Sequence, residues 1–194
     1  MPLLPIPDRE VFEAHLRPVL PLAYRVAVSL LRDRDTAMDL VQDASVTAFR
    51  AFYQFENGTN FKAWFLRILT NKYLRMQRVN ARFDHINLEE APELFLYRRA
   101  RRLGIPMEGD PTGFILDQVD SEMILKALSR LPEEYRMVAS LHFISELSYQ
   151  DCADALDIAI GTVRSRLHRA RKLLQVALWQ IAEERGYVSS EEAV

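Results

Sequence analysis

The chain has 194 residues, 49% hydrophobic and 27% charged, with 6 Gly and 9 Pro; this is the composition of a folded, helix-rich protein and excludes global disorder. Its length allows one ordinary domain or two small ones. Cys152 is the only cysteine, which excludes an internal disulfide, gives no support to secretion or to a cysteine-built zinc site, and makes a reduced cytoplasm the expected location.

The N-terminal stretch MPLLPIPDRE has no basic start leading into an apolar run, and the apolar segment from Val19 to Leu31 is interrupted by Arg25. Neither a signal peptide nor membrane insertion is expected. Helical periodicity then appears three times. Val19, Leu22, Ala23, Val26, Ala27 and Leu30 form the first apolar stripe; Val41, Ala44, Ala48, Phe49 and Phe52 the second; Phe61, Trp64, Phe65, Ile68, Leu69 and Met76 the third. Asp35 or Thr36 is positioned to cap the second helix and Asn60 the third, each by accepting a bond from an orphan amide. Between them FENGTN, at 55–60, contains Asn-Gly and reads as a turn. The first domain is therefore placed at 1–82.

Periodicity fades from Phe83 into a stretch containing Pro92, Pro106, Pro111, Gly104, Gly109 and Gly113, with Arg98, Arg99, Arg101 and Arg102 between acidic blocks. This reads as a flexible linker over 83–116, with a short helix near Glu93 to Leu103; the arginine cluster receives no role. Helical pattern returns in a second domain at 117–185, ahead of a tail at 186–194. One helix is predicted over Ser121 to Arg130, another from Pro132 to about Ser145, and a third from Ser148.

From Leu147 to Leu174 the sequence runs LSYQDCADALDIAIGTVRSRLHRARKLL. Ser148 with Asp151 three residues on makes a capping-box-like start, DIAIG breaks the short helix, and a long helix begins near Thr162. Short helix, tight turn and second helix with a basic face make a helix-turn-helix. At 100° per residue Val163, Leu167, Ala170, Leu174, Ala177 and Ile181 form the core stripe. Ser165, His168, Arg169 and Lys172 lie opposite, flanked by Arg164 and Arg171, where a major groove could be read.

The formal net charge is only -2, but it is unevenly distributed. Lys62, Arg67, Lys72, Arg75, Arg78 and Arg82 follow one another with no acid between, as do Arg164, Arg166, Arg169, Arg171 and Lys172. Acids gather at 33–43, 84–93 and 108–122 and in the tail. Basic strips meet phosphate and acidic surfaces meet something else.

The segment LSYQDCADALDIAIGTVRSRLHRARKLL, preceded by LPEEYRMVASLHF, resembles the fourth conserved region of the sigma-70 family in its extracytoplasmic-function (ECF) class. DTAMDLVQDASVTAFRAF and NFKAWFLRILTNKYLRMQR resemble the second region of that family. The resemblance implies an all-α fold of two small domains, a region 2 helical bundle and a region 4 helix-turn-helix, joined by the linker. It implies a transcription initiation factor that binds core RNA polymerase, directs it to promoters through minus 10 and minus 35 elements, and helps open DNA.

Carried onto this chain, it assigns Asp39, Leu40, Gln42 and Asp43 to the clamp coiled coil of the polymerase largest subunit, with the flap as a further contact. Two carboxylates and an amide on one surface suit pairing with arginine. The loop from Phe55 to Asn60 is assigned to an extruded minus 10 base, with Asn57, Gly58, Thr59 and Asn60 as donors and acceptors. Arg67, Asn71 and Arg78, with Lys62, Lys72 and Arg75 beside them, can hold phosphates or an unpaired strand. Phe61, Trp64 and Phe65 are read as core. The minus 35 set is Thr162, Arg164, Ser165, Arg166, His168, Arg169, Arg171 and Lys172. An anti-sigma partner is left open.

The chain departs from the family where Asp157 and Ala159 replace the usual Gly and Pro of the turn, and where an Arg-Arg pair is loosened to Arg75 and Arg78. An ordinary two-domain regulator would need a dimerisation or ligand element, and none is visible. A helical enzyme would need a polar constellation. His15, His85, His142 and His168 show no metal-binding spacing, and no Gly-rich phosphate loop is present, so no catalytic residue, metal or cofactor is expected. Cys152 reads as a small packing residue.

Overall fold

A computed structural model describes residues 9–81 and 121–185. The linker assignment, its arginine cluster and the tail lie outside those residues. Every regular element among them is helical. The first half contains α1 (Arg9–Leu16), α2 (Leu20–Leu31), α3 (Arg34–Ala51) and α4 (Phe61–Ala81), with a 3-10 turn at Phe52–Gln54. The second contains α5 (Ser121–Ser129), α6 (Glu133–Ala139), a π turn at Ser140–Ile144, α7 (Tyr149–Leu156) and α8 (Ile160–Glu184).

α2, α3 and α4 are the three predicted stripes. Ala23, Val26 and Ala27 of α2, Ala44 and Ala48 of α3, and Phe65 and Leu69 of α4 are all fully buried. Alanine at so many contacts lets α2 and α3 approach closely, and the larger α4 residues fill the remaining space. The short α1, which periodicity did not disclose, adds Phe12, whose ring meets Phe49 and Phe52 edge-on at 5.2 Å. Pairs of this kind contribute about 0.5–1.5 kcal/mol beyond area burial.

The junction between α2 and α3 differs from expectation. Arg32 turns left-handed (φ 63°) and ends α2, so Asp33 is extended and caps α3, accepting from Thr36 N at 2.8 Å. Asp35 and Thr36 are inside the first turn of α3 and cannot cap it. Asn60 does cap α4, accepting from Ala63 N at 3.2 Å.

In the second half, Ser148 Oγ accepts from Asp151 N at 3.0 Å while Asp151 accepts from Ser148 N at 3.3 Å, so the capping box is complete. Asp157 supplies the left-handed residue of the turn (φ 54°, ψ 48°), a geometry a short polar side chain tolerates better than most. α8 starts at Ile160, two residues before the predicted start, because Ala159 O already accepts from Val163 N at 3.2 Å. The predicted core stripe Val163, Leu167, Ala170, Leu174, Ala177 and Ile181 is buried throughout.

The two halves also pack on each other. α2 lies against α5 and the π turn, and α4 lies against α7. Across this seam Ser29 Oγ and Ser140 Oγ are 2.7 Å apart, both fully buried, and Thr70 Oγ1 donates to Ala155 O at 3.3 Å.

Candidate functional site

Three exposed surfaces emerge from these packing choices. On α3, burial of Ala37, Leu40, Val41 and Ala44 turns Asp39, Gln42 and Asp43 to solvent. Leu40 is only 2% exposed, so it supports this face from beneath and cannot itself touch a partner. Its apolar spacing places it inward, one of the i, i+3, i+4 positions that build the core. Beside the acids runs an apolar groove lined by Leu20, Pro21, Tyr24, Met38, Val41 and Val46. Met38 and Val46 are each 50% exposed, although they belong to a helix that buries its other apolar residues. Sequence reasoning missed them because they fall off the core stripe; that same offset was the signal that could have found them.

The second surface is built on the N-terminal half of α4. Phe52, Phe55, Phe61 and Trp64 form an aromatic base, with His15 stacked on Phe61 at 5.2 Å. The loop above it is exposed at Asn57, Gly58, Thr59 and Asn60. Gly58 takes φ 92°, a conformation that glycine adopts without the Cβ clash. Thr59 closes the turn by donating its hydroxyl to Glu56 O at 2.7 Å. Phe61 and Phe65 are buried and Trp64 half-buried, as expected of core residues. Arg67, Asn71, Arg75 and Arg78 are exposed along α4, and Lys62 and Lys72 are half-buried. Lys72 Nζ stands 3.6 Å from Asp43 Oδ2, linking this surface to the acidic one.

The third surface is the outer face of α8. Arg164, Ser165, His168 and Arg169 are exposed, while Thr162, Arg166, Arg171 and Lys172 are half-buried. Several are held in place: Arg166 pairs with Glu134 at 3.3 Å, Arg169 Nη1 donates to Tyr135 Oη at 3.2 Å, and Arg171 Nη2 donates to Tyr149 Oη at 2.8 Å. Arg171 also lies over the Phe143 ring, 5.9 Å from its centroid. These tyrosines were not singled out from the sequence, since a core tyrosine and one that orients an arginine look alike there. A guanidinium is a planar fork of donors, so a bond to a tyrosine fixes the plane in which it meets a base or phosphate.

His142 Nδ1 is 2.8 Å from Leu147 O, a structural bond inside the second half. Cys152 is buried, and burial first, with the Asp151 carboxylate second, pushes its thiol up to about 12. A thiol that stays protonated is a poor nucleophile. Among the described residues no group of three His, Cys, Asp or Glu side chains could hold a metal, and no helix is long and apolar enough to cross a membrane.

Comparison with known proteins follows the same division. The family described as Sigma-70 region 2 matches residues 11–83, and Sigma-70, region 4 matches residues 121–174. The ECF RNA polymerase sigma factor SigE of Mycolicibacterium smegmatis is 35% identical over 153 residues, covering 78% of this chain and 55% of the relative. The chain thus spans about half the length of that protein. The sigma factor SigW of Bacillus subtilis is 29% identical over 157 residues, covering 80% of this chain and 82% of the relative. Among solved structures, the sigma factor RpoE of Bartonella quintana, in complex with the anti-sigma factor NepR, aligns with a TM-score of 0.66 and 32% identity, covering 88% of this chain and 98% of that one. CnrH, in complex with the cytosolic domain of CnrY, aligns at 0.57 and 23% identity and shares the fold.

Proposed function

The chain belongs to the sigma-70 family, in its ECF class, and on that premise we propose how its three surfaces divide the work of directing RNA polymerase to promoters. The α3 face, Asp39, Gln42 and Asp43 with the adjoining apolar groove, docks on the clamp coiled coil of the polymerase. Apolar contact supplies affinity there, and charge-assisted bonds to arginine set the register. The Asn57 to Asn60 loop and the cations of α4 take an unpaired minus 10 strand. The α8 face reads duplex DNA at the minus 35 element.

The carrying observation is that one acidic and two cationic faces are all exposed, each on a different helix, in the family's order. The residues act by binding alone, with no chemical step, and the two domains are 1–82 and 117–185. A cytoplasmic location fits that partner set. An anti-sigma factor is a further partner, supported by the complex in which the Bartonella relative was solved.

The test is holoenzyme formation and promoter footprinting. Replacing Asp39, Gln42 and Asp43 together with Ala should weaken binding to core polymerase while circular dichroism stays unchanged, and the wild-type holoenzyme should protect both elements. Full retention of core affinity, or protection at one element only, would refute the division.

A further inference from the structure

The short α1 brings an imidazole to the base of the Asn57 to Asn60 loop. Phe12, His15 and Leu16 share one face of that helix, at i, i+3 and i+4, and Phe12 and Leu16 are buried. Phe12 meets Phe49 and Phe52 at 5.2 Å and Phe61 at 6.1 Å, which steers His15 onto the same cluster. The imidazole stacks on Phe61 at 5.2 Å with 25° between the planes, and stands edge-on to Phe55 at 5.8 Å. Phe55 is the last buried residue before the loop and Phe61 the first one after it. His15 therefore bridges the points at which the loop leaves the core and returns to it.

Packing alone would be served better there by another phenylalanine. A polar ring among apolar ones costs free energy unless its nitrogens find partners. Among the described residues His15 makes ring contacts, and neither of its nitrogens is hydrogen-bonded. Phe12, Phe55 and Phe61 are buried, whereas His15, Phe52 and Trp64 are half-buried and form the part of the cluster open to solvent. A neutral imidazole offers one donor and one acceptor. The loop itself has less to offer than its composition suggests. Thr59 donates its hydroxyl proton to Glu56 O, Asn60 Oδ1 accepts from Ala63 N, and Asn60 Nδ2 donates to Asp151. Those side chains are largely committed to the shape of the loop, while the polar atoms of His15 are not used by the fold.

We propose that His15 is a specificity-determining residue of the minus 10 site: its ring nitrogens hydrogen-bond the edge of the extruded base that the loop receives, and its stack on Phe61 holds them in place. A helix ahead of the α2 to α4 bundle thereby enters a site otherwise built from the loop and α4. This rests on the minus 10 assignment above, and the test separates the two.

The experiment uses holoenzyme reconstituted with the full chain, wild type or carrying His15→Phe or His15→Gln, on promoters randomised at each minus 10 position or abasic at one of them. His15→Phe keeps a ring and removes both nitrogens; His15→Gln removes the ring and keeps a donor and an acceptor. Circular dichroism and core polymerase affinity should be unchanged in both. In open-complex yield, His15→Phe should lower the preference for the favoured base at one minus 10 position by about fivefold, the effect of one net hydrogen bond. His15→Gln should lose clearly less. With an abasic site at that position, wild type and His15→Phe should be equal, because a direct contact then has no base to lose, whereas a packing role would keep its penalty. Unchanged preference in His15→Phe, equal losses in the two variants, or a loss that survives on the abasic promoter overturns the proposal. If His15→Phe lowers helicity, His15→Leu is read on the same promoters with the same expectation. If the wild-type holoenzyme opens no promoter, or opens all with no preference at any minus 10 position, the minus 10 assignment itself fails, and the proposal with it.

Discussion

Arg169 and Arg171 are two residues apart on α8, yet their anchors predict different losses. Arg169 is exposed on the outer face of α8, centred opposite the core stripe, and Tyr135 anchors it there. A bidentate arginine–guanine contact is worth about 1–3 kcal/mol of discrimination, so Arg169→Ala should lower preference at one or two minus 35 positions by roughly 5- to 150-fold. Arg171 is half-buried between Tyr149 and Phe143, at the flank of the face, where a phosphate is the reachable group. Losing one phosphate contact flattens the salt slope by about 0.9, so a fourfold rise in salt should cost the variant about 3.5-fold less affinity than it costs wild type. The assay is holoenzyme binding to a library randomised at the minus 35 element, at two salt concentrations. Tyr149→Phe serves as a control that removes the anchor and keeps the charge. Equal, sequence-independent losses for both alanine variants would refute the division between reading and gripping.

Other consequences are equally open to measurement. Met38→Glu with Val46→Glu places charge in the exposed groove of α3, and should reduce core polymerase affinity at least as much as loss of the acids, with the melting temperature unchanged; wild-type affinity would remove the groove from the interface. Ser148→Ala removes the side-chain acceptor for Asp151 N and should cost about 1 kcal/mol in urea unfolding; no change would mean that α7 is held by packing alone. The Cys152 thiol, raised to about 12, keeps its proton in the folded chain after the unfolded chain has lost its own. Stability should therefore fall as pH rises above the ordinary thiol range towards 12, at up to about 1.4 kcal/mol per pH unit. Cys152→Ala should remove that slope, and an unchanged slope would assign it to other groups.

Much of the fold was legible because its helices are amphipathic over long stretches. The stripe from Val163 to Ile181 repeats at 3.6 residues and is buried at every predicted position. Capping was legible where the polar residue directly preceded the stripe, as at Asn60 and Ser148. It was misplaced at α3 because the left-handed Arg32, not a glycine, ends the preceding helix, and nothing in a single arginine announces φ above zero. α1 escaped because only Phe12 and Leu16 of its eight residues are buried, too few turns to show a period. The site residues were legible as charge on the faces opposite the stripes. The tyrosines that orient Arg169 and Arg171 were not, since their partners lie 34 and 22 residues away in sequence.

The seam between the halves was invisible for a related reason: its buried polar contacts are made by Ser29, Thr70 and Ser140, residues that read as helix filler, and its apolar residues join a single core cluster with those of each half, so no stripe in the sequence sets them apart. With a net charge of -2 the protein has no overall field to draw it to DNA, and its acids are not scattered: those of α7 face α4, and those of α3 face outward beside the groove. Asp154 and Asp157 line a cleft with Arg67, and Asp151 accepts from Asn60, so the field near the start of the α4 strip is set by both halves together and the net charge of the chain says little about either face.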